Sequence, residues 1–383
     1  MVNITKLLCG FNSYGDILRY KKSDTNPRKP VVVWNSTRKC NLSCIHCYSN
    51  SSRFNYTGEI SHKESIEMLQ DLASFKIPVV LFSGGEPLIR QDIFELMTFS
   101  KKSGIRTVLS TNGTLIDKDT AKKIKNAGVD YVGISIDGIG SNNDEFRGKQ
   151  GAFDLALSGI RNLKELNQNV GLRLTLTKHN FQNLEQIFHL VETEGINRIC
   201  FYHLVYSGRA AEIKNFDLSH KETRDCLDKI CQWVISLHKR GIYKEVLTVD
   251  NHADNVFIYL KVKETNPKKQ GDILNLVRLN GGDSSGIGIV NIDNKGFVYP
   301  DQFWHTIILG NIRTKKFSEI WNDNSGKFIA QIKERKSYLK GRCAKCRYID
   351  ICNGNSRARA EFVYGDMWQE DPACYLTDDE IAS

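Results

Sequence analysis

The chain has 383 residues, 40% of them apolar, and its 53 Lys plus Arg against 44 Asp plus Glu leave a net charge of +9. That length suits one large and one smaller domain around a sizeable core, and its 11 cysteines are too sparse for a secreted disulfide scaffold. No run approaches the roughly 18 consecutive apolar residues of a membrane span. The positive balance attracts anions in general, whether nucleic acid, phosphates or a polycarboxylate. The basic residues are dispersed, with short runs such as Lys21-Lys22 and Lys315-Lys316, so most belong to a solvated surface and form no nucleic-acid-binding stripe.

At the amino end, Leu7-Leu8-Cys9-Gly10 has the letters of a lipoprotein cleavage site, but no apolar stretch of signal-peptide length precedes it. Cys9 is therefore expected to be an ordinary buried residue of an extension over 1–29. From Pro30 a unit repeats: apolar run, polar turn, amphipathic helix, next run. The runs are Val31–Trp34, Val79–Ser83, Arg106–Ser110, Tyr131–Ile136, Leu172–Thr177 and Arg198–Leu204. Being near-continuously apolar, they suit parallel strands buried on both faces. Between them, Ser61-His62-Lys63-Glu64 is a capping box opening a helix with Ile66, Leu69, Leu72 and Ala73 on one face. A second box, Ser219 to Glu222, opens a helix carrying Leu227, Ile230, Cys231, Val234 and Leu237 and stopped by Gly241. Cys231, and Cys200 within a strand, belong to the core. Tandem βα units make either a doubly wound sheet or part of a β/α barrel, and in both the chemistry gathers at the carboxyl ends of the strands.

Seven cysteines form two clusters, which in a reducing compartment, the cytoplasm, points to metal. Cys40, Cys44 and Cys47 follow the first run. With His46 they would complete a tetrahedral zinc set, though the spacing suits it poorly; three thiolates on a four-iron cluster would leave one iron open for another ligand. After residue 240 the pattern breaks into a helical insertion over 241–280. Then Ile287–Ile292 and Phe297–Tyr299 flank Asp293-Asn294-Lys295-Gly296 as a hairpin, opening a smaller domain over 281–383. Cys343, Cys346, Cys352 and Cys374 close the chain with enough thiolates for a zinc ion or a fully ligated cluster.

Cys-x3-Cys-x2-Cys in the first strand-end loop, with Ser83-Gly84-Gly85-Glu86-Pro87 at the end of the second strand, resembles the radical S-adenosylmethionine superfamily. The resemblance implies an α/β fold, a partial (β/α)6 TIM barrel over 30–240, with a 4Fe-4S cluster on Cys40, Cys44 and Cys47 whose open iron chelates S-adenosylmethionine. It places Gly84, Gly85, Glu86 and Pro87 at the cosubstrate's ammonium group, Ser110, Asn112 and Ser135 among its ribose contacts, and Arg173 at its carboxylate. The tail resembles the auxiliary-cluster (SPASM/twitch-like) domain in its shortened form, implying one further 4Fe-4S cluster on Cys343, Cys346, Cys352 and Cys374. The longer form has a cysteine where Tyr299-Pro300 is here followed by Asp301.

Segments including Cys200 to Arg209, Leu247 to Asp254 and Gly341 to Arg347 resemble the tetrapyrrole-modifying branch of that superfamily. This implies an iron tetrapyrrole substrate, a low-potential electron donor of flavodoxin or ferredoxin type, and no nucleic-acid or membrane partner. The expected reaction is removal of acetate side chains from didecarboxysiroheme to give Fe-coproporphyrin III through a 5′-deoxyadenosyl radical. Removal of propionates from the same substrate on the d-type haem route is the alternative. His203, His305 and His252 become candidate axial ligands or proton donors, and Arg209, Lys178 and Arg147 candidate partners for substrate carboxylates. A peptide-modifying maturase of the same superfamily is the main rival, yet 1–29 is too short for its peptide-binding winged helix; a zinc-bound interaction module is the other.

Overall fold

The computed structural model describes residues 1–13, 15–20, 29–323 and 327–382, so Lys21-Lys22 lies outside the described residues. Eleven strands form one sheet: β1 (Val2–Asn3), β2 (Val31–Thr37), β3 (Val79–Gly84), β4 (Arg106–Thr111), β5 (Tyr131–Ser135), β6 (Val170–Leu176), β7 (Arg198–His203), β8 (Glu245–Val249), β9 (Ile289–Ile292), β10 (Phe297–Tyr299) and β11 (Gly310–Asn311). Strands β2 to β8 pair in parallel in chain order. The first six are the expected barrel strands, and helices cover their outer face.

Alternation along each strand sorts residues between two environments. Outward, Val32, Trp34, Val80, Phe82, Leu109, Ile134, Leu172 and Phe201 join the helices in the main core. Inward, Val79, Val108 and Tyr131 form one cluster and Cys200, Leu247 and Val249 another. Paired glycines on β5 and β6 leave the inside open to polar side chains: a Cβ at Gly133 would lie 2.2 Å from Arg173 Nε, and one at Gly171 2.3 Å from the Tyr131 hydroxyl. Both capping boxes form, at Ser61 and at Ser219. Leu69, Leu72 and Cys231 are fully buried, while Ile66, Ala73 and Cys9 are only half-buried.

The segment 241–280, expected to be helical throughout, opens with a seventh parallel strand, β8, before the helices Ala253–Thr265 and Gln270–Asn280. Five residues gave too short a pattern to read, and β8 is fixed by what it meets: β7 on one side and antiparallel β1 on the other. The hairpin β9–β10 forms as expected, but β9 also pairs in parallel with β2, from Val31↔Ile289 to Trp34↔Ile292. The sheet thus crosses the expected domain boundaries.

Candidate active site

Beyond β2 the chain turns into the loop bearing Cys40 and Cys44, both buried, and Cys47, half-buried. All three line a cavity at the carboxyl ends of the parallel strands. Its floor needs glycine. A Cβ at Gly84, whose φ is +129°, would lie 2.3 Å from Thr37 O, and one at Gly85 2.2 Å from Lys39 O. These contacts let Gly85 N–H donate to Thr37 O at 2.7 Å and Glu86 N–H to Lys39 O at 2.9 Å, setting where the cysteine loop begins. Gly84→Ala is expected to cost about 2–3 kcal/mol from backbone conformation alone, read as a lower urea midpoint.

Each thiol of the loop has a polar donor. Leu42 N–H points at Cys40 Sγ (3.4 Å), Ser51 N–H at Cys47 Sγ (3.4 Å) and Arg147 Nη1 at Cys44 Sγ (3.7 Å). Burial pushes the Cys40 thiol up to about 12, so its thiolate needs compensating positive charge. Arg147, expected to reach a substrate carboxylate, lines this cavity, buried and ion-paired with Asp137, whose other oxygen accepts from Thr175 N–H at 2.7 Å. His46 lies 3.5 Å from Asp137 and stacks on Phe146 at 4.4 Å, and burial lowers it to about 4. Arg209 is likewise committed, donating to Cys44 O (2.8 Å) and Ser51 O (2.9 Å), so it fastens the loop rather than facing substrate. Lys178 is exposed and bonds Asn215 O at 3.1 Å, away from the cavity.

Ser110, Asn112, Ser135 and Arg173 line the cavity together, as expected. Arg173 Nη1 donates to Ser110 Oγ at 2.5 Å while its buried Nε has no partner. Asn112 Nδ2 bonds Asn41 Oδ1 (2.9 Å) and approaches Cys40 Sγ (3.9 Å). Glu86 and Pro87 do not line it. The Glu86 carboxyl points away, accepting from Thr111 Oγ1 (2.7 Å), Asn112 N–H (2.8 Å) and Leu88 N–H (3.1 Å), and burial raises it to about 7. It ties two strand-end loops together, and Pro87 starts the short helical turn that follows.

The far wall carries His203 and Asp250. His203 Nε2 lies 2.9 Å from Asp254 Oδ2, and Tyr375 Oη donates to Asp254 Oδ1 at 2.6 Å, so the imidazole is oriented by a buried carboxylate. Asp250 was not legible as a site residue. It follows β8 directly with φ +68°, its buried Oδ2 has no partner, and burial raises it to about 7. Its carbonyl accepts from Arg359 Nη2 at 2.6 Å. His305 does not join His203; it lines a second cavity that shares Tyr48, Ser49 and Phe303 with the first, and burial lowers it to about 4. His252 reaches neither: it is buried at a helix start, its N–H donating to Asn355 Oδ1 at 2.7 Å. Mouths included, the two cavities enclose about 1130 and 1280 Å³. The two cavities adjoin, with Tyr48, Ser49 and Phe303 lining both.

In the carboxy-terminal region the four cysteines come together, each receiving a backbone N–H: Cys343 from Asp371, Cys346 from Tyr348 (3.4 Å), Cys352 from Gly354 and Cys374 from Leu376. Among the described residues no three Cys, His, Asp or Glu side chains are placed to hold a single ion. A cluster, by contrast, takes each thiolate on a different iron, and amide donors to sulfur are among the features that tune it. Both thiol sets fit iron-sulfur clusters in that respect.

A thiol triad at the open end of parallel β/α units, above a glycine floor, defines an iron-sulfur barrel enzyme. Residues 34–191 match the radical SAM superfamily and residues 285–347 an iron-sulfur cluster-binding domain. Fe-coproporphyrin III synthase of Methanosarcina barkeri is 48% identical over 394 residues, covering 100% of this chain and 99% of that protein. Pre-heme d1 synthase of Dinoroseobacter shibae is 41% identical, covering 91% and 87%. In fold, the chain resembles anSMEcpe with bound AdoMet and Cp18Cys peptide (TM-score 0.70, 19% identity, 91% and 94% covered). It also resembles Streptococcus suis SuiB bound to precursor peptide SuiA (0.72, 17%, 91% and 76%). The chain belongs to the radical SAM superfamily. It is a radical SAM enzyme with a SAM-binding 4Fe-4S cluster, an auxiliary iron-sulfur cluster and S-adenosylmethionine as cosubstrate. No helix among the described residues is long and apolar enough to cross a membrane.

Proposed function

We propose that this chain removes the acetate side chains of didecarboxysiroheme to give Fe-coproporphyrin III. The observation that carries the reading is the full-length 48% identity to Fe-coproporphyrin III synthase. The paired cavities at the barrel mouth support it, because a rigid, bulky polycarboxylate and a cosubstrate must lie side by side. In this reading Cys40, Cys44 and Cys47 hold the first cluster, and Cys343, Cys346, Cys352 and Cys374 the auxiliary one. Gly84, Gly85, Ser110, Asn112 and Ser135 cradle S-adenosylmethionine, and the unpaired edge of Arg173 takes its carboxylate. Bound there, S-adenosylmethionine would supply, on one-electron reduction, a 5′-deoxyadenosyl radical for hydrogen abstraction. Arg147 and Arg209 hold the cysteine loop in place, Asp254 orients the His203 ring at the far wall of the first cavity, and the enclosing walls exclude water. The barrel portion then spans 30–249 and the auxiliary portion 281–383, joined by the helices between. Electrons come from a low-potential donor of flavodoxin or ferredoxin type in the cytoplasm.

The test is anaerobic incubation of the reconstituted chain with didecarboxysiroheme, S-adenosylmethionine and dithionite, followed by mass analysis. Loss of two acetate groups is the expected result. Loss of propionates would move the chain to the d-type haem route, and an untouched macrocycle beside accumulating 5′-deoxyadenosine would overturn both.

A further inference from the structure

The second cavity is walled by aromatic rings. Tyr206 and Phe362 pack at 5.6 Å, Tyr299 meets His305 edge-on at 5.0 Å, and Trp304 and Phe303 complete the lining. Phe362 stays 45% exposed, an apolar face left toward the opening. Tyr48 and Phe303, edge to face at 5.3 Å, stand between this cavity and the one bearing the cysteines. Tyr48 is pinned there by its hydroxyl, which donates to Asn35 Oδ1 at 3.0 Å.

The acids of the slot are spoken for. Glu361 accepts from Trp304 Nε1 (2.8 Å) and Thr306 Oγ1 (2.5 Å), and Asp293 from the N–H groups of Lys295 and Phe297, both at 2.9 Å. Two buried polar side-chain atoms of the lining have no partner: Arg38 Nε and His305 Nε2. Arg38 stacks on Tyr56, its guanidinium carbon 4.8 Å from the centre of the ring. A buried guanidinium edge without an acceptor is costly unless a ligand oxygen completes it. An unpaired imidazole nitrogen nearby is a donor suited to iron. Flat aromatic walls, a guanidinium Nε without a hydrogen-bond acceptor and an imidazole nitrogen without a partner together describe a planar, metal-bearing polycarboxylate.

We propose that this slot seats the tetrapyrrole, with Arg38 holding one of its carboxylates and His305 facing its iron. The proposal rests on the function proposed above and adds where the macrocycle lies. Tyr48 and Phe303 then form the partition across which the substrate's edge meets the cosubstrate.

The test is an anaerobic absorbance titration with Fe-coproporphyrin III. Arg38→Met, which keeps the stem over Tyr56, is expected to weaken binding at least about tenfold, the loss of one charge-assisted contact. Arg38→Lys, which keeps the charge, is expected to lie between Arg38→Met and the wild type. An iron porphyrin with esterified carboxyls is expected to bind wild type and Arg38→Met alike. His305→Phe is expected to abolish the shift of the Soret band seen on binding to the wild type. Unchanged iron and sulfide content verifies that each variant is intact. Wild-type conversion of didecarboxysiroheme with unaltered titrations of both Arg38→Met and His305→Phe overturns the slot alone. Failure of the wild type to bind any iron porphyrin overturns the slot and the function together.

Discussion

Cys44→Ser is expected to abolish 5′-deoxyadenosine formation and to lower the iron content from about eight to about four per chain, since only the first of two four-iron clusters is lost. Cys44 is buried, and its sulfur faces the Arg147 guanidinium at 3.7 Å. Serine offers iron a far poorer ligand and leaves Arg147 with Asp137 alone. Anaerobic iron and sulfide analysis, with chromatography of the adenosyl product, reads both losses at once. Cys374→Ser is the contrast: iron should again fall to about four, but cosubstrate cleavage should persist, because the altered thiol belongs to the other set. Equal loss of cleavage in both variants would contradict the assignment of the two sites.

The second large effect concerns Arg359, fully buried beneath the far wall. It donates to Asp371 from Nε (3.0 Å) and Nη2 (2.9 Å), to Leu204 O (2.9 Å) and to Asp250 O (2.6 Å). One guanidinium thus ties the ends of β7 and β8 to the segment that carries Cys374 three residues after Asp371. Arg359→Met would leave the Asp371 carboxylate buried without its partner, at a cost of about 3–5 kcal/mol. The expected readout is a markedly lower urea midpoint together with loss of the auxiliary iron. Asp371→Asn should be similarly harmful and Arg359→Lys intermediate, because an ammonium cannot reproduce the two-pronged contact.

The barrel strands, both capping boxes and both thiol sets were legible because each is written locally, as a period, a cap or a spacing. What escaped was set by distant partners. Five residues at Glu245–Val249 become a strand only because β7 and β1 lie on either side. Arg147 and Arg209 read as free cations, since nothing in their neighbourhoods announces Asp137 or the carbonyls of the cysteine loop. Glu86 was placed among the cosubstrate contacts by its motif, but letters do not say which way a side chain turns, and this one turns inward to bridge two loops. His203 and His305 look equivalent in sequence and occupy separate cavities. One signal was present and unread: Gly133 and Gly171, glycines inside strands that mark a close approach.

Through the pairing of β9 with β2, the strand that launches the cysteine loop and the hairpin that launches the auxiliary region are neighbours in one slab. Such bracing runs backbone hydrogen bonds without a break from the strand before the first thiol set into the hairpin of the auxiliary region.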